Sequence, residues 1–212
     1  MNFLDSTLDK YVRQHTSKES ELLYELYRET YLKVLQPRML SGHFQGRVLS
    51  MISKMIRPNR ILELGTYTGY SALCLAEGLQ KGGHLHTIDK NEEQEYFVQS
   101  FIDRSNFATQ ITQHIGNALA LIPQLKEDWD IVFIDADKEN YLNYYNLILP
   151  NLKSGSYILA DNILWSGKVV DETAQDKATS LLREFNLRMT EDPRIENVLL
   201  PIRDGIQIGR VI

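Results

Sequence analysis

The sequence predicts an α/β fold: a mostly parallel, seven-stranded sheet with helices on both faces and a terminal antiparallel strand. Three observations carry this. After Pro58, short apolar runs alternate with helical segments, the order of a parallel sheet built with crossover helices. Two of those runs end directly in acids, Val132-Phe133-Ile134-Asp135 and Leu159-Ala160-Asp161, as expected at the strand ends of an open sheet, where ligands bind. The last two apolar runs are joined across Pro201–Gly205, a link too short for a parallel crossover.

Residues 1–57 read as a helical N-terminal extension. Leu22, Leu23, Leu26, Tyr27 and Thr30 form one helical stripe, and Val48, Leu49, Ile52 and Ile56 form another. Pro37 separates them and Pro58 ends the second. Strands are then predicted at 60–64, 84–88, 109–115, 130–134, 157–160, 195–200 and 206–211. Helices are predicted at 69–79, 92–104, 117–126, 138–150 and 174–190. No repeat, low-complexity tract or Pro/Gly/Ser linker interrupts the chain, so residues 1–212 are expected to form a single domain.

The chain is 43% hydrophobic and 24% charged, an ordinary globular balance, with a formal net charge of -5 that does not suggest general nucleic-acid affinity. Its one cysteine, Cys74, lies in an apolar run and reads as a core residue; no intrachain disulfide can form. No apolar stretch approaches the ~20 residues that span a bilayer. Met1-Asn2-Phe3-Leu4-Asp5 lacks the basic-then-apolar form of a signal peptide, so cytoplasmic residence is the expectation. His84 and His86 alternate along a strand without cysteine or a spaced histidine pair, and read as structural or surface residues rather than ligands.

The chemistry concentrates at strand ends. Asp135, Asp161 and Asn162 offer three hard oxygens to one divalent cation, with room for water and a substrate oxygen. Lys138 follows one short turn later, where an amine can take a proton; close to a dication, like charge and burial both disfavour the ammonium. The first strand runs into Glu63-Leu64-Gly65-Thr66-Tyr67-Thr68-Gly69-Tyr70-Ser71. Glycines there let the backbone turn sharply beside a ligand. Tyr67 occupies the place of the middle glycine of a dinucleotide loop, which argues against a diphosphate and against a nicotinamide oxidoreductase. The second strand ends in Asp89, spaced to accept ribose hydroxyls or to cap the helix that follows. Gly116-Asn117-Ala118 after the third strand offers a small surface for a flat ring, or a plain turn.

The segments ELGTYTGYS at 63–71, TID at 87–89, GNAL at 116–119, FIDADKENY at 133–141, ADNILWSG at 160–167 and RDG at 203–205 resemble the cation-dependent S-adenosylmethionine O-methyltransferases of the caffeoyl-CoA and catechol type. The resemblance runs from about residue 37 to the end and implies a Rossmann-like class I methyltransferase fold. It implies that Met39, Ser41, Glu63, Gly65, Tyr67, Ser71, Asp89, Ala118, Asp135 and Asp137 line the S-adenosylmethionine site. Asp135, Asp161 and Asn162 would bind a divalent cation, magnesium first, with manganese or calcium as substitutes. Lys138 and Asp135 would be catalytic, Lys138 as base or as an orienting group, and Trp165, Lys138 and Met39 would contact a small phenolic acceptor. A homodimer is also implied.

Gly42-His43-Phe44-Gln45-Gly46-Arg47 departs from the family pattern: His43 and Arg47 add donors and positive charge where many relatives carry an acid. With Arg38, Arg57 and Arg60 they keep open an alternative acceptor, a hydroxylated tRNA base, against the acidic total charge. Tyr141, Tyr144 and Tyr145 follow a helical spacing that predicts packing or a subunit interface rather than base stacking.

Overall fold

The computed structural model describes residues 5–212. Residues 1–4, the start of the predicted helical extension and most of the segment read for a targeting signal, lie outside them. Seven strands follow the order β3-β2-β1-β4-β5-β7-β6 in a mostly parallel sheet with helices around it, which is the predicted fold class. The chain divides into two compact units, one ending at Asn117 and one spanning Ala118–Ile212.

The first unit opens with α1 (Ser6–Gln14), α2 (Glu21–Lys33), a 3-10 turn at Pro37–Met39 and α3 (Gly42–Ile56). Asp5 and Ser20 cap α1 and α2 by accepting backbone N–H bonds, the usual remedy for unpaired amides at a helix start. Leu23, Leu26 and Thr30 of α2 are buried, as the stripe predicts. Next come β1 (Arg60–Leu64), α4 (Tyr70–Ala76), β2 (His84–Asp89), α5 (Glu95–Asp103) and β3 (Ile111–Ile115). β1, β2 and β3 pair in parallel, with Glu63 beside Thr87 and Asp89 beside Ile115. Helix α4 ends at Ala76, short of the predicted 79, and just beyond it Gly78 packs directly on the α3 backbone, where a Cβ would lie 2.2 Å from the Ser53 carbonyl carbon. Cys74 is buried in α4. His84 bonds Thr112, and His86 pairs with His114 across β2 and β3 at 2.9 Å.

The second unit contains α6 (Ala118–Leu121), β4 (Ile131–Ile134), α7 (Tyr141–Ile148), β5 (Tyr157–Asp161), α8 (Lys177–Glu191), β6 (Ile195–Leu200) and β7 (Ile206–Val211). β4 and β5 are parallel; β7 runs antiparallel to both β5 and β6. The last strand therefore inserts between β5 and β6. All of β4 and most of β5 are buried, so both read as continuous apolar runs rather than alternating ones. Tyr141, Tyr144 and Tyr145 are buried, the first and third edge-on against Phe185 of α8, the packing role their spacing predicts. Among the described residues no helix is long and apolar enough to cross a membrane.

Candidate active site

β4 ends at Ile134 and β5 at Asp161, and their parallel pairing sets Ile134 beside Ala160. The residues that follow, Asp135 on one strand and Asp161-Asn162 on the other, are thus delivered to the same end of the pair. Asp161 is 2% exposed, and its Oδ1 accepts the Asn162 N–H at 2.8 Å. Asn162 has φ +59, a left-handed conformation that asparagine tolerates better than most residues. Lys138 opens a 3-10 turn, Lys138–Asn140, that brings its stem back over the strand end. Its Nζ donates to Asp135 Oδ1 at 3.2 Å, to Asn162 Oδ1 at 2.9 Å and to the Tyr141 hydroxyl at 2.5 Å.

The sequence places Lys138 near these oxygens as an amine able to receive a proton. The structure puts its cationic head directly on two of them. An ion pair three residues apart, on side chains 10% and 21% exposed, is the simplest way for the Asp135 carboxylate to find positive charge. The Tyr141 hydroxyl donates to the carbonyls of Asp161 (2.9 Å) and Ile134 (3.1 Å), tying together the two strand ends. Burial, then the charges of Asp135, Asp161 and Asp137, push this phenol well above its ordinary value, so it stays protonated and is no base. Asp137 is exposed and accepts from the Tyr144 hydroxyl at 2.7 Å and from the Asn140 amide, so it braces the start of α7.

The segment after β5 carries unusual backbone. Trp165, Ser166 and Gly167 have φ +48, +55 and +83. Trp165 is partly exposed, while its indole Nε1 is buried without a hydrogen-bond partner. The segment is held by the RDG turn: Asp204 accepts from Ser166 N at 2.6 Å through Oδ1 and from Leu164 N at 2.9 Å through its carbonyl.

In the first unit, the loop after β1 is shaped by Gly65 (φ +97), Tyr67 (φ +48) and Gly69 (φ +83), the last at the start of α4 with Ser71 buried in the first turn. Asp89 accepts the Tyr67 N–H at 2.8 Å through Oδ2 and the Asn91 N–H at 3.0 Å through Oδ1. Each oxygen keeps a second lone pair for a ligand hydroxyl. The helix cap considered for Asp89 is instead supplied by Asn91, which accepts from Glu93 N. The Tyr67 hydroxyl reaches Leu35 O (3.3 Å) and Gln36 O (3.2 Å), so the loop holds the segment leading to Met39 and Ser41. Met39 is 57% exposed and Ser41 is buried at the start of α3.

Glu63 sits one residue before the end of β1. It has no exposed surface, and its Oε2 accepts the Thr87 hydroxyl, which pairs with Thr66. Ala118, at the start of α6, is also buried.

A family model described as O-methyltransferase matches residues 13–212. The chain belongs to the O-methyltransferase family. It is 35% identical over 207 residues to caffeoyl-CoA O-methyltransferase 5 of Nicotiana tabacum, spanning 92% of this chain and 86% of that one. To caffeoyl-CoA O-methyltransferase 2 of Eucalyptus globulus it is 35% identical over 205 residues, 91% and 83% of the two chains. Among solved structures, the Bacillus cereus O-methyltransferase in complex with SAH matches with a TM-score of 0.89 at 28% identity over 97% of both chains. An SAH-bound Podospora anserina methyltransferase matches with a TM-score of 0.90 at 25% identity, over 100% of this chain and 98% of that one.

Within this O-methyltransferase, the basic residues that kept an RNA acceptor open are largely engaged internally. Arg47 is 13% exposed and donates to both Glu77 oxygens, at 3.0 and 2.6 Å, and to Cys74 Sγ. His43 Nε2 is 2.8 Å from Ser17 O, and Arg60 donates to the Asn59 and Gly82 carbonyls. A cleft of about 350 Å³ beside His43 is lined by Lys18, Glu19, Ser20, Glu21 and Tyr24; no predicted site residue lines it. Sequence reasoning missed Tyr141 and Asp204 as site components. Tyr141 stands three residues after Lys138, a spacing that faces the two side chains together on one helical turn, and this was the available signal.

Proposed function

We propose that the chain transfers a methyl group from S-adenosylmethionine to one of two adjacent hydroxyls on a small catechol or caffeoyl-type phenol, with a divalent cation. The observation that carries this is the convergence of Asp135 Oδ1 and Asn162 Oδ1 on one positive centre, Lys138 Nζ, beside the buried Asp161. Oxygens that gather around an ammonium have the donor chemistry a hard cation takes. Among the described residues no group of three or more His, Cys, Asp and Glu is arranged for a metal; the set here is two carboxylates and an amide oxygen, which suits magnesium, manganese or calcium.

Asp135, Asp161 and Asn162 would hold that cation, and when bound it favours the ionised phenol and fixes the angle of the ring. The residues of the chain supply position and proton handling. Gly65, Tyr67 and Asp89 would hold the cofactor, with the Asp89 oxygens on ribose hydroxyls. Met39 and Trp165 would wall the acceptor. Lys138 Nζ would take the acceptor proton or orient the oxygen that loses it. Methyl transfer to a well-oriented oxygen needs no covalent enzyme intermediate.

One observation favours a second reading. The Lys138–Asp135 ion pair supplies positive charge without any metal. Turnover of a simple catechol in EDTA, then with added magnesium, separates the two. Loss in EDTA and recovery with magnesium supports the cation. Full activity in chelator would remove the cation and assign its electrostatic role to the Lys138 ammonium. No calorimetric binding of S-adenosylmethionine or its demethylated product would overturn both.

A further inference from the structure

We infer that Tyr141 is a positioning residue for Lys138: its hydroxyl fixes Nζ at the meeting point of the Asp135 and Asn162 side chains. This rests on the methyl-transfer reading above. A lysine head on a four-carbon stem is mobile unless its donors are engaged, and immobilising it costs side-chain entropy. Three oxygens surround Nζ here, and the shortest contact, 2.5 Å, is to Tyr141. Asp135 and Asn162 are also the oxygens proposed for the cation, so Tyr141 is the acceptor with no second duty towards it.

The hydroxyl is itself referenced to the site. It donates to the Ile134 and Asp161 carbonyls, the last residues of β4 and β5, which deliver the acid and amide side chains. A shift of either strand end would be passed through one phenol oxygen to Nζ. The ring is fixed separately. It is fully buried, it meets Phe185 edge-on at 5.4 Å and 74°, and its centroid lies 4.6 Å from Nζ. Tyr141→Phe therefore removes the oxygen while keeping the ring and its packing on Phe185.

A purely structural hydroxyl, satisfying two carbonyls, would act independently of Lys138. A positioning hydroxyl would not. The full chain is assayed with S-adenosylmethionine, magnesium and a catechol as wild type, Tyr141→Phe, Lys138→Met and the double variant. Tyr141→Phe is expected to lower kcat by about 10- to 100-fold, with affinity for the demethylated cofactor within about twofold. The double variant is expected to be no worse than Lys138→Met alone, within about twofold. Losses that multiply in the double variant, or wild-type kcat in Tyr141→Phe, overturn the inference. Should the wild type bind cofactor yet methylate no phenol, the proposed acceptor fails, and the positioning role is read from the NMR signals of the Lys138 ε-methylene instead. Two distinct proton shifts that merge in Tyr141→Phe support it; signals unchanged by the substitution overturn it.

Discussion

Glu77 gives a quantitative test of how the loop after β1 is supported. It ends α4, the helix that leaves the loop, and it ties that helix to α3 by accepting from Arg47, Lys54 (2.7 Å) and Ser50 (2.7 Å). Burial alone would raise its carboxyl, but Arg47, Lys54 and Ser50 outweigh burial and hold it down to about 2 from the ordinary 4.5. At 1.36 kcal/mol per pH unit, that difference corresponds to about 3 kcal/mol of stability. The side chain is only 18% exposed, so solvent screening takes little of it. The folded-state value lies below the unfolded one. The contribution is thus complete above about pH 4.5 and is lost as pH falls towards 2. Glu77→Gln keeps the shape, removes the charge and leaves the Arg47 guanidinium without its counter-ion. Urea unfolding at pH 7 should show a loss of about 3 kcal/mol, or a fall in Tm of about 6–12 °C for a chain of this size. By about pH 3 the gap between variant and wild type should shrink to less than half. Equal stability at pH 7, or a gap constant down to pH 3, would refute the cluster's role and return Arg47 to the list of groups free to meet an acceptor.

Asp161→Ala removes a 2%-exposed carboxylate from the strand end, so methyl transfer should fall by about 100-fold or more while calorimetry shows cofactor affinity within about threefold; retained turnover would exclude Asp161 from the chemistry. Burial pushes the Cys74 thiol up to about 12 despite Arg47, so a thiol reagent should label the native chain slowly and the urea-unfolded chain fast, with fast native labelling contradicting the packing of α3 on α4. Gly205→Ala places a Cβ 2.6 Å from Leu164 Cγ at φ +88, which should cost about 2–4 kcal/mol and raise KM for the acceptor more than that for the cofactor. An unchanged melting temperature would contradict that contact.

Much of the fold is legible because buried parallel strands must be short, apolar and punctuated. The run Val132-Phe133-Ile134 has no polar residue to spend until the sheet ends at Asp135, and the same holds for Ile158-Leu159-Ala160 before Asp161. Strand ends therefore announce the oxygen-bearing residues. What is not legible is partner choice across the fold. Nothing local says that Arg47 will meet Glu77, 30 residues on, rather than an incoming substrate. Nor does the run Arg60–Leu64 reveal that Glu63 will be enclosed and will bond Thr87 across the sheet. The close approach of Gly78 to α3, just past the end of α4, is likewise a tertiary fact.

The segment after β5 depends most strongly on another part of the sequence. Asn162, Trp165 and Ser166 all hold left-handed backbone, and side chains with a Cβ cost roughly 1 kcal/mol or more each in that region. Such a segment persists only if its surroundings over-determine it. Here the surroundings are the turn before β7: Gly205 O accepts Ile163 N at 3.3 Å, and Asp204 accepts Leu164 N and Ser166 N through carbonyl and carboxylate. Asn186 of α8 adds a bond to Ile163 O at 2.9 Å. Two motifs about 40 residues apart in the chain, ADNILWSG and RDG, are thus one built piece. β7 can brace the segment because it runs antiparallel to β5, which brings its start beside the end of β5, with Ile206 paired to Asp161. A parallel last strand would deliver its start to the opposite edge and leave the Trp165 segment without this brace. The antiparallel insertion of β7, a topological detail at first sight, is what allows the proposed acceptor wall to hold a strained shape next to Asp161.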